Sequence, residues 1–192
     1  MRITGGIARN ISLRSPYKSN NIRPATDKCR QACFSSLQAY ISNAQVLDLF
    51  AGTGSYGLEA LSRGAKSCLF LEIDYQAVQC IKKNIKVLEK SFLEKDIPFT
   101  KVINQDVLVW LKKAKPVFDL IFVDPPYSFY KKHGIALINL LDYFLRKSSS
   151  FNLVFEGPSI VKVPSNSSLK CKKILGKNKN SPIISIFQKV AK

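Results

Sequence analysis

Phe118-Asp119-Leu120-Ile121-Phe122-Val123-Asp124-Pro125-Pro126-Tyr127 is an apolar run that ends in an acid, two prolines and an aromatic residue. Consecutive prolines fix the backbone and remove two N–H donors, which leaves nearby carbonyls as outward-facing acceptors. Those acceptors suit an amino group on a heteroaromatic ring, a poor nucleophile because its lone pair is delocalised. Asp124 Oδ and the Pro125 carbonyl would bind the amino hydrogens and favour a more tetrahedral nitrogen, aiming its lone pair at an electrophilic carbon for in-line displacement. Pro126 holds the turn, and Tyr127 would stack on a ring taken out of its helix or loop. Phe129 and Tyr130 either assist or belong to the core.

A second constellation supplies the other half of such a reaction. Val46-Leu47-Asp48-Leu49-Phe50-Ala51-Gly52-Thr53-Gly54-Ser55-Tyr56-Gly57 satisfies G-x-G-x-x-G, a strand, a glycine turn and a helix start. Alone, the pattern suits a dinucleotide whose pyrophosphate sits on the helix amino terminus. Asp48 opposes that reading, because its carboxylate would repel a diphosphate yet suits a cofactor bearing a cationic ammonium and a sulfonium. Gly52 and Gly54 let the backbone pass close to such a ligand, with Phe50 beside them. Glu72 ends the next apolar run, where an acid can accept hydrogen bonds from both ribose hydroxyls. Asp106, followed by Val107, stands after the third run and can accept from an adenine amino group. Asp74 points the other way if the strand continues beyond Glu72, so it ranks second. Acids at the carboxyl ends of successive strands occupy the edge where open α/β sheets bind ligands.

These residues need elements to carry them. Short apolar runs alternate with helical periodicity, which predicts an α/β fold with a mostly parallel sheet covered on both faces. Strands are expected at 45–49, 67–72, 100–104, 118–123 and 152–156, and helices at 56–63, 75–88, 107–113 and 134–144. Apolar stretches at 169–175 and 183–188, joined by the turn at Lys177–Pro182, predict a closing antiparallel hairpin and a total of seven strands. Thr26 or Asp27 is placed to cap a helix running to about Tyr40. Residues 1–24 lack sustained periodicity and read as an arm. The expected organisation is one domain over 1–192, with a basic arm and helix at 1–44 and a Rossmann-like core at 45–192.

Charge sorts the chain into three parts. The net charge is +17. Residues 1–45 hold seven basic side chains against one acid, 46–130 hold eleven against ten, and 131–192 hold twelve against two. Basic ends around a near-neutral middle fit a polyanion bound at the ends and small-molecule chemistry in the centre. No apolar run approaches a membrane span and no signal-peptide run opens the chain, so a cytoplasmic protein is expected, with no membrane partner. Five cysteines without a C-x-x-C pair, and a single histidine, His133, point to reduced buried thiols and no metal site. A monomer is the expected state.

The glycine loop together with Asp-Pro-Pro-Tyr resembles the amino-methylating class I methyltransferases. The amino-terminal residues Met1-Arg2-Ile3-Thr4-Gly5-Gly6, then Arg23-Pro24-Ala25-Thr26-Asp27 with Arg30, Ala32 and Phe34, resemble the RsmD family, which methylates N2 of a guanine in bacterial 16S ribosomal RNA. The resemblance covers nearly the whole chain. It implies S-adenosylmethionine as cofactor and the 16S RNA or the assembling small ribosomal subunit as partner. Asp124, Pro125, Pro126 and Tyr127 are then the catalytic loop. Asp48, Phe50, Gly52, Gly54, Glu72, Asp106 and Val107 line the cofactor pocket, and Arg2, Arg9, Arg23 and Arg30 contact phosphates. Ala25 and Arg9-Asn10 depart from the family pattern, and the last thirty residues match it loosely. The competing readings are adenine-N6 DNA or protein-glutamine methylation, a non-catalytic RNA-binding assembly factor on the same fold, and a dinucleotide oxidoreductase.

Overall fold

A computed structural model describes residues 1–16, 24–115, 117–157, 161–165, 167–176 and 182–189. Seven strands form one sheet: β1 (Gln45–Leu49), β2 (Ser67–Glu72), β3 (Phe99–Asn104), β4 (Leu120–Val123), β5 (Phe151–Gly157), β6 (Lys170–Leu175) and β7 (Ile183–Lys189). Their order is β3-β2-β1-β4-β5-β7-β6. The first five are parallel, while β7 runs antiparallel between β5 and β6. This is the mostly parallel sheet with a closing hairpin that the alternation of runs predicts. The turn expected to join β6 and β7 lies largely outside the described residues.

Among the described residues five helices cover the faces: α1 (Pro24–Leu37), α2 (Ser55–Ser62), α3 (Tyr75–Glu89), α4 (Val107–Leu111) and α5 (Tyr127–Leu145). Strand alternation divides the core in two. Val46, Phe70, Phe122 and Val154 pack with Phe34, Leu58 and Ile81 on the α1–α3 face. Leu47, Leu49, Ile121, Val123 and Leu153 pack with Leu137, Leu141 and Phe144 on the α4–α5 face. Strands buried on both faces are apolar almost throughout, which explains the uninterrupted runs in the sequence. At the far edge of the sheet, Lys170, Lys172 and Lys173 are exposed on β6, a charged border that discourages pairing with another sheet.

Two helices start earlier than their sequence signals suggest. Helix α1 begins at Pro24, so Asp27 lies in its first turn and is not its cap. Proline suits a first helical position because its missing N–H would have had no partner there. Helix α5 begins at Tyr127, seven residues before the expected Gly134, directly after the two prolines. Gly134 is tolerated within it because a Cβ there would stand 3.1 Å from the Tyr130 ring, so the bare backbone lets that ring pack close.

The amino-terminal arm is a docked element. Ile3 N–H donates to Ile11 O at 3.0 Å and Asn10 N–H to Ile3 O at 2.9 Å, closing a small hairpin. Ile3, Ala8 and Leu13 are buried in the same cluster as Phe34 and Phe70. The arm also satisfies Glu59 of α2, which is fully buried: Thr4 N–H and Oγ1–H each donate to its carboxylate at 2.7 Å. Close approach demands Gly6, whose φ is +79° and where a Cβ would lie 1.8 Å from the Ser62 carbonyl oxygen. Among the described residues no helix is long and apolar enough to cross a membrane.

Candidate functional site

The carboxyl ends of β1, β2, β3 and β4 open into one cavity of about 510 Å³. Its size is within the range of small-molecule sites. Phe50, Gly52, Glu72, Asp106, Val107, Asp124, Pro125, Pro126 and Tyr127 all line it, so nine residues chosen from sequence spacing converge on one space. Ile73, Asp74, Ala77 and Phe129 complete the wall.

The glycine turn is held in a strained path. Phe50, Gly52 and Gly54 all have positive φ, at 58°, 54° and 78°. A phenylalanine rarely adopts that region, and its ring is fixed edge-on against Phe129 with centroids 4.8 Å apart. Glu72 ties the turn to the neighbouring strand. One of its oxygens accepts Gly52 N–H at 2.8 Å and the other accepts Asp74 N–H at 2.9 Å. Each oxygen has a second lone pair, so both remain able to accept a ribose hydroxyl. Ile73, 63% exposed, presents an apolar plate at this end.

Asp74 and Asp106 each have two tasks. Asp74 caps α3 by accepting Ala77 N–H, and Asp106 caps α4 by accepting Val109 N–H, both at 2.9 Å. Both also line the cavity. Asp74 was expected to face away; because β2 stops at Glu72, the chain turns and brings it to the wall.

Three expected residues stand elsewhere. Asp48 does not line the cavity. It is buried behind the turn, where its carboxyl accepts Gly57 N–H at 2.9 Å. Burial pushes its pKa up to about 8 against that hydrogen bond, with the charge of Glu72 adding to the rise. Gly54 lies against Leu58, Phe70 and Ile81 and supports the turn from below. Arg30, expected on a phosphate, is only 2% exposed. It donates to Asp27 at 2.9 Å and to the Arg2 carbonyl, and its Nε lies 3.6 Å from Glu59. A guanidinium with three such partners is structural.

Arg2 and Arg9 are exposed, and with Lys28 and Gln31 they border a separate hollow of about 300 Å³ between the arm and α1. Arg23 lies outside the described residues. Among the described residues no group of three or more His, Cys, Asp or Glu side chains is placed to hold a metal.

Asp124 follows β4, and its half-buried carboxyl forms part of the cavity wall. Burial holds its pKa well above the usual carboxylate range, with Glu156 and then Asp48 adding to the rise. Tyr127 opens α5 at the mouth of the cavity and is 55% exposed. Glu156 was not singled out from the sequence. It stands one residue before the end of β5, while Glu72 ends β2, so a search for acids at strand ends would have found it.

Comparisons with known proteins agree with this geometry. The conserved hypothetical protein 95 family matches residues 1–180. Ribosomal RNA small subunit methyltransferase D of Buchnera aphidicola is 39% identical over 179 residues, covering 90% of this chain and 86% of that protein. The protein of the same name from Escherichia coli is 35% identical over 144 residues, covering 74% of this chain and 67% of that one. Among solved structures, the Escherichia coli protein yhhF, a candidate methyltransferase, superposes with a TM-score of 0.79 at 29% identity, over 100% of this chain and 99% of that one. The fold is that of the class I methyltransferases. The chain belongs to the conserved hypothetical protein 95 family, the RsmD family whose motifs it carries from Met1 to Tyr127.

Proposed function

We propose that the protein transfers a methyl group from S-adenosylmethionine to the exocyclic N2 amino group of a guanine in 16S ribosomal RNA, acting on that RNA or on the assembling small subunit. The observation that carries this reading is the placement of Asp124-Pro125-Pro126-Tyr127 at the wall and mouth of a cavity whose other end holds Glu72, Ile73, Asp106 and Val107. The name of the Buchnera relative supports the substrate class.

The residues present fit the cofactor. Glu72 offers two oxygens, already aligned by Gly52 and Asp74 N–H groups, to vicinal hydroxyls. Ile73 and Val107 give apolar faces for a purine, and Asp106 an acceptor beside them. When bound, the cofactor supplies a methyl carbon made electrophilic by its sulfonium. Asp124 and the Pro125 carbonyl bind the two amino hydrogens of the base and direct the nitrogen lone pair inward. Tyr127 stacks on the extruded base, whose unstacking costs a few kcal/mol. Asp124 accepts the proton that leaves the methylated nitrogen. Arg2, Arg9 and Lys28 hold the RNA backbone beside the arm.

Mass spectrometry of small-subunit RNA from cells with and without the gene tests the proposal. The expected result is the loss of one N2-methylguanosine. Unchanged guanine methylation, with cofactor still bound by the purified protein, would send the search to DNA or protein substrates.

A further inference from the structure

Four acids cross the catalytic edge of the sheet in strand order: Glu72 on β2, Asp48 on β1, Asp124 after β4 and Glu156 on β5. The first three have tasks at or beneath the cavity. Glu156 lies beyond Asp124, on the side away from Glu72, and the methyl-transfer scheme gives it nothing to do.

Its position is defined by register. Val123 pairs with Phe155, so Asp124, just past the end of β4, and Glu156 on β5 follow a paired position, where the usual strand spacing is about 4.8 Å. Both side chains point to the α1–α2 face, as Phe122 and Val154 do two residues earlier. The Tyr56 hydroxyl anchors Glu156 by donating to Oε2. Tyr56 is itself clamped between Phe34 and Phe122, with ring centroids at 6.1 and 4.8 Å. Glu156 is partly exposed, and among the described residues Oε1 accepts no hydrogen bond. A rigidly held carboxylate thus presents one open acceptor beside the residue that binds the reactive amino group.

Building on the guanine reading above, we propose that Glu156 is a specificity-determining residue that accepts the N1–H of the target base while Asp124 holds its 2-amino group. Guanine presents these two donors side by side on its Watson–Crick edge, which matches two adjacent acceptors. Adenine places an acceptor, N1, next to its amino group and would set that lone pair against the carboxylate. Glu156 is suited to the acceptor role. Burial raises its pKa, but the Tyr56 hydroxyl and the nearby Arg30 guanidinium both favour its ionised form.

The test uses the purified full chain and two synthetic RNA fragments that differ only at the methylated nucleotide, guanine in one and 2-aminopurine in the other. The analogue keeps the 2-amino group but carries an unprotonated N1. Wild-type protein is expected to methylate the guanine fragment about ten- to a hundredfold faster in kcat/KM, the range for one hydrogen bond to a charged group. Glu156→Gln can donate to an unprotonated N1, so it is expected to lose rate on guanine and bring the ratio close to one, with cofactor binding by calorimetry unchanged. Tyr56→Phe, which frees the carboxylate, is expected to narrow the ratio partway. A wild-type ratio near one overturns the proposal without any variant. So does a Glu156→Gln protein that is slower on both fragments at an unchanged ratio, because that is a structural effect. Wild-type protein that methylates neither fragment, whether free or assembled with small-subunit proteins, refutes the guanine reading itself, and the proposal falls with it.

Discussion

Asp48→Asn is expected to stabilise the folded protein by an amount that grows with pH. The carboxyl is fully buried behind the glycine turn, where burial raises its pKa from 3.8 to about 8. Between those values the folded protein holds a proton that the unfolded chain has released, so stability falls as pH rises from about 4 to about 8. Each tenfold difference in proton affinity corresponds to about 1.4 kcal/mol, which gives a penalty of roughly 1–2 kcal/mol at pH 5 and about 5 at pH 8. Asparagine keeps an oxygen for Gly57 N–H and carries no charge to neutralise. Its amide N–H group needs a partner, at a cost of about 1–3 kcal/mol, but that cost does not vary with pH. The quantity to measure is therefore the change in the stability difference, about 3 kcal/mol in favour of the variant between pH 5 and pH 8. Urea unfolding of both proteins at several pH values, extrapolated linearly to water, reads it directly. A difference that stays constant from pH 5 to 8 would show that Asp48 is ionised in the folded protein and that the turn rests on a charge.

Asp124 gives a pH dependence of opposite sense in activity: with its pKa held high by burial and by Glu156, methyl transfer under single-turnover conditions is lost as pH falls through a value above the usual carboxylate range. Asp124→Ala abolishes transfer while cofactor affinity, measured by calorimetry, stays within a few-fold; loss of cofactor binding would show that its role is misassigned. The arginines separate into two behaviours. Arg2→Ala and Arg9→Ala each reduce the salt dependence of RNA binding by about one phosphate contact and leave stability alone. Arg30→Ala destabilises by about 1–3 kcal/mol, because it removes a buried guanidinium from Asp27, the Arg2 carbonyl and Glu59 while Arg63 still pairs with Glu59, and a denaturation midpoint equal to wild type would contradict the buried contacts. Gly6→Ala lowers stability by about 1–3 kcal/mol in the same assay, since its Cβ meets the Ser62 carbonyl at 1.8 Å in a left-handed backbone.

The sequence shows the sheet more clearly than the arm. β1 and β2 are found at their expected ends because strands buried on both faces are apolar throughout and stop at an acid or a turn. Residues 1–16 carry no period because their order comes from distant partners: Glu59 and Ser62, more than fifty residues away, accept from or donate to the arm. Helix α5 is misjudged at its start because Gly134 looks like a boundary, whereas packing against Tyr130 keeps it inside the helix. For the site, position at a strand end finds an acid but not its direction. Asp48 and Glu72 stand alike in the sequence, yet Gly57 N–H draws the first behind the turn while Gly52 N–H draws the second across the cavity. Arg30 shows the same limit, since a basic residue near a basic arm reads as a phosphate contact until its acids are seen.

The placement of charge also explains why the acids gather where the chain is otherwise basic. A sheet edge holding Asp48, Asp124 and Glu156 costs stability, since burial raises all three pKa values and the charges of Glu156 and Asp48 raise that of Asp124 further. Burial without partners would be ruinous. The protein offsets it locally, with Gly57 N–H on Asp48, Tyr56 and Arg30 on Glu156, and the arm on Glu59, which in turn fixes Arg30. Each support comes from α1, α2 or the docked arm and none from α4 or α5. The arm is thus linked to the acid edge without touching the cavity: it seats Glu59, which lies beside the arginine whose charge favours the ionised form of Glu156.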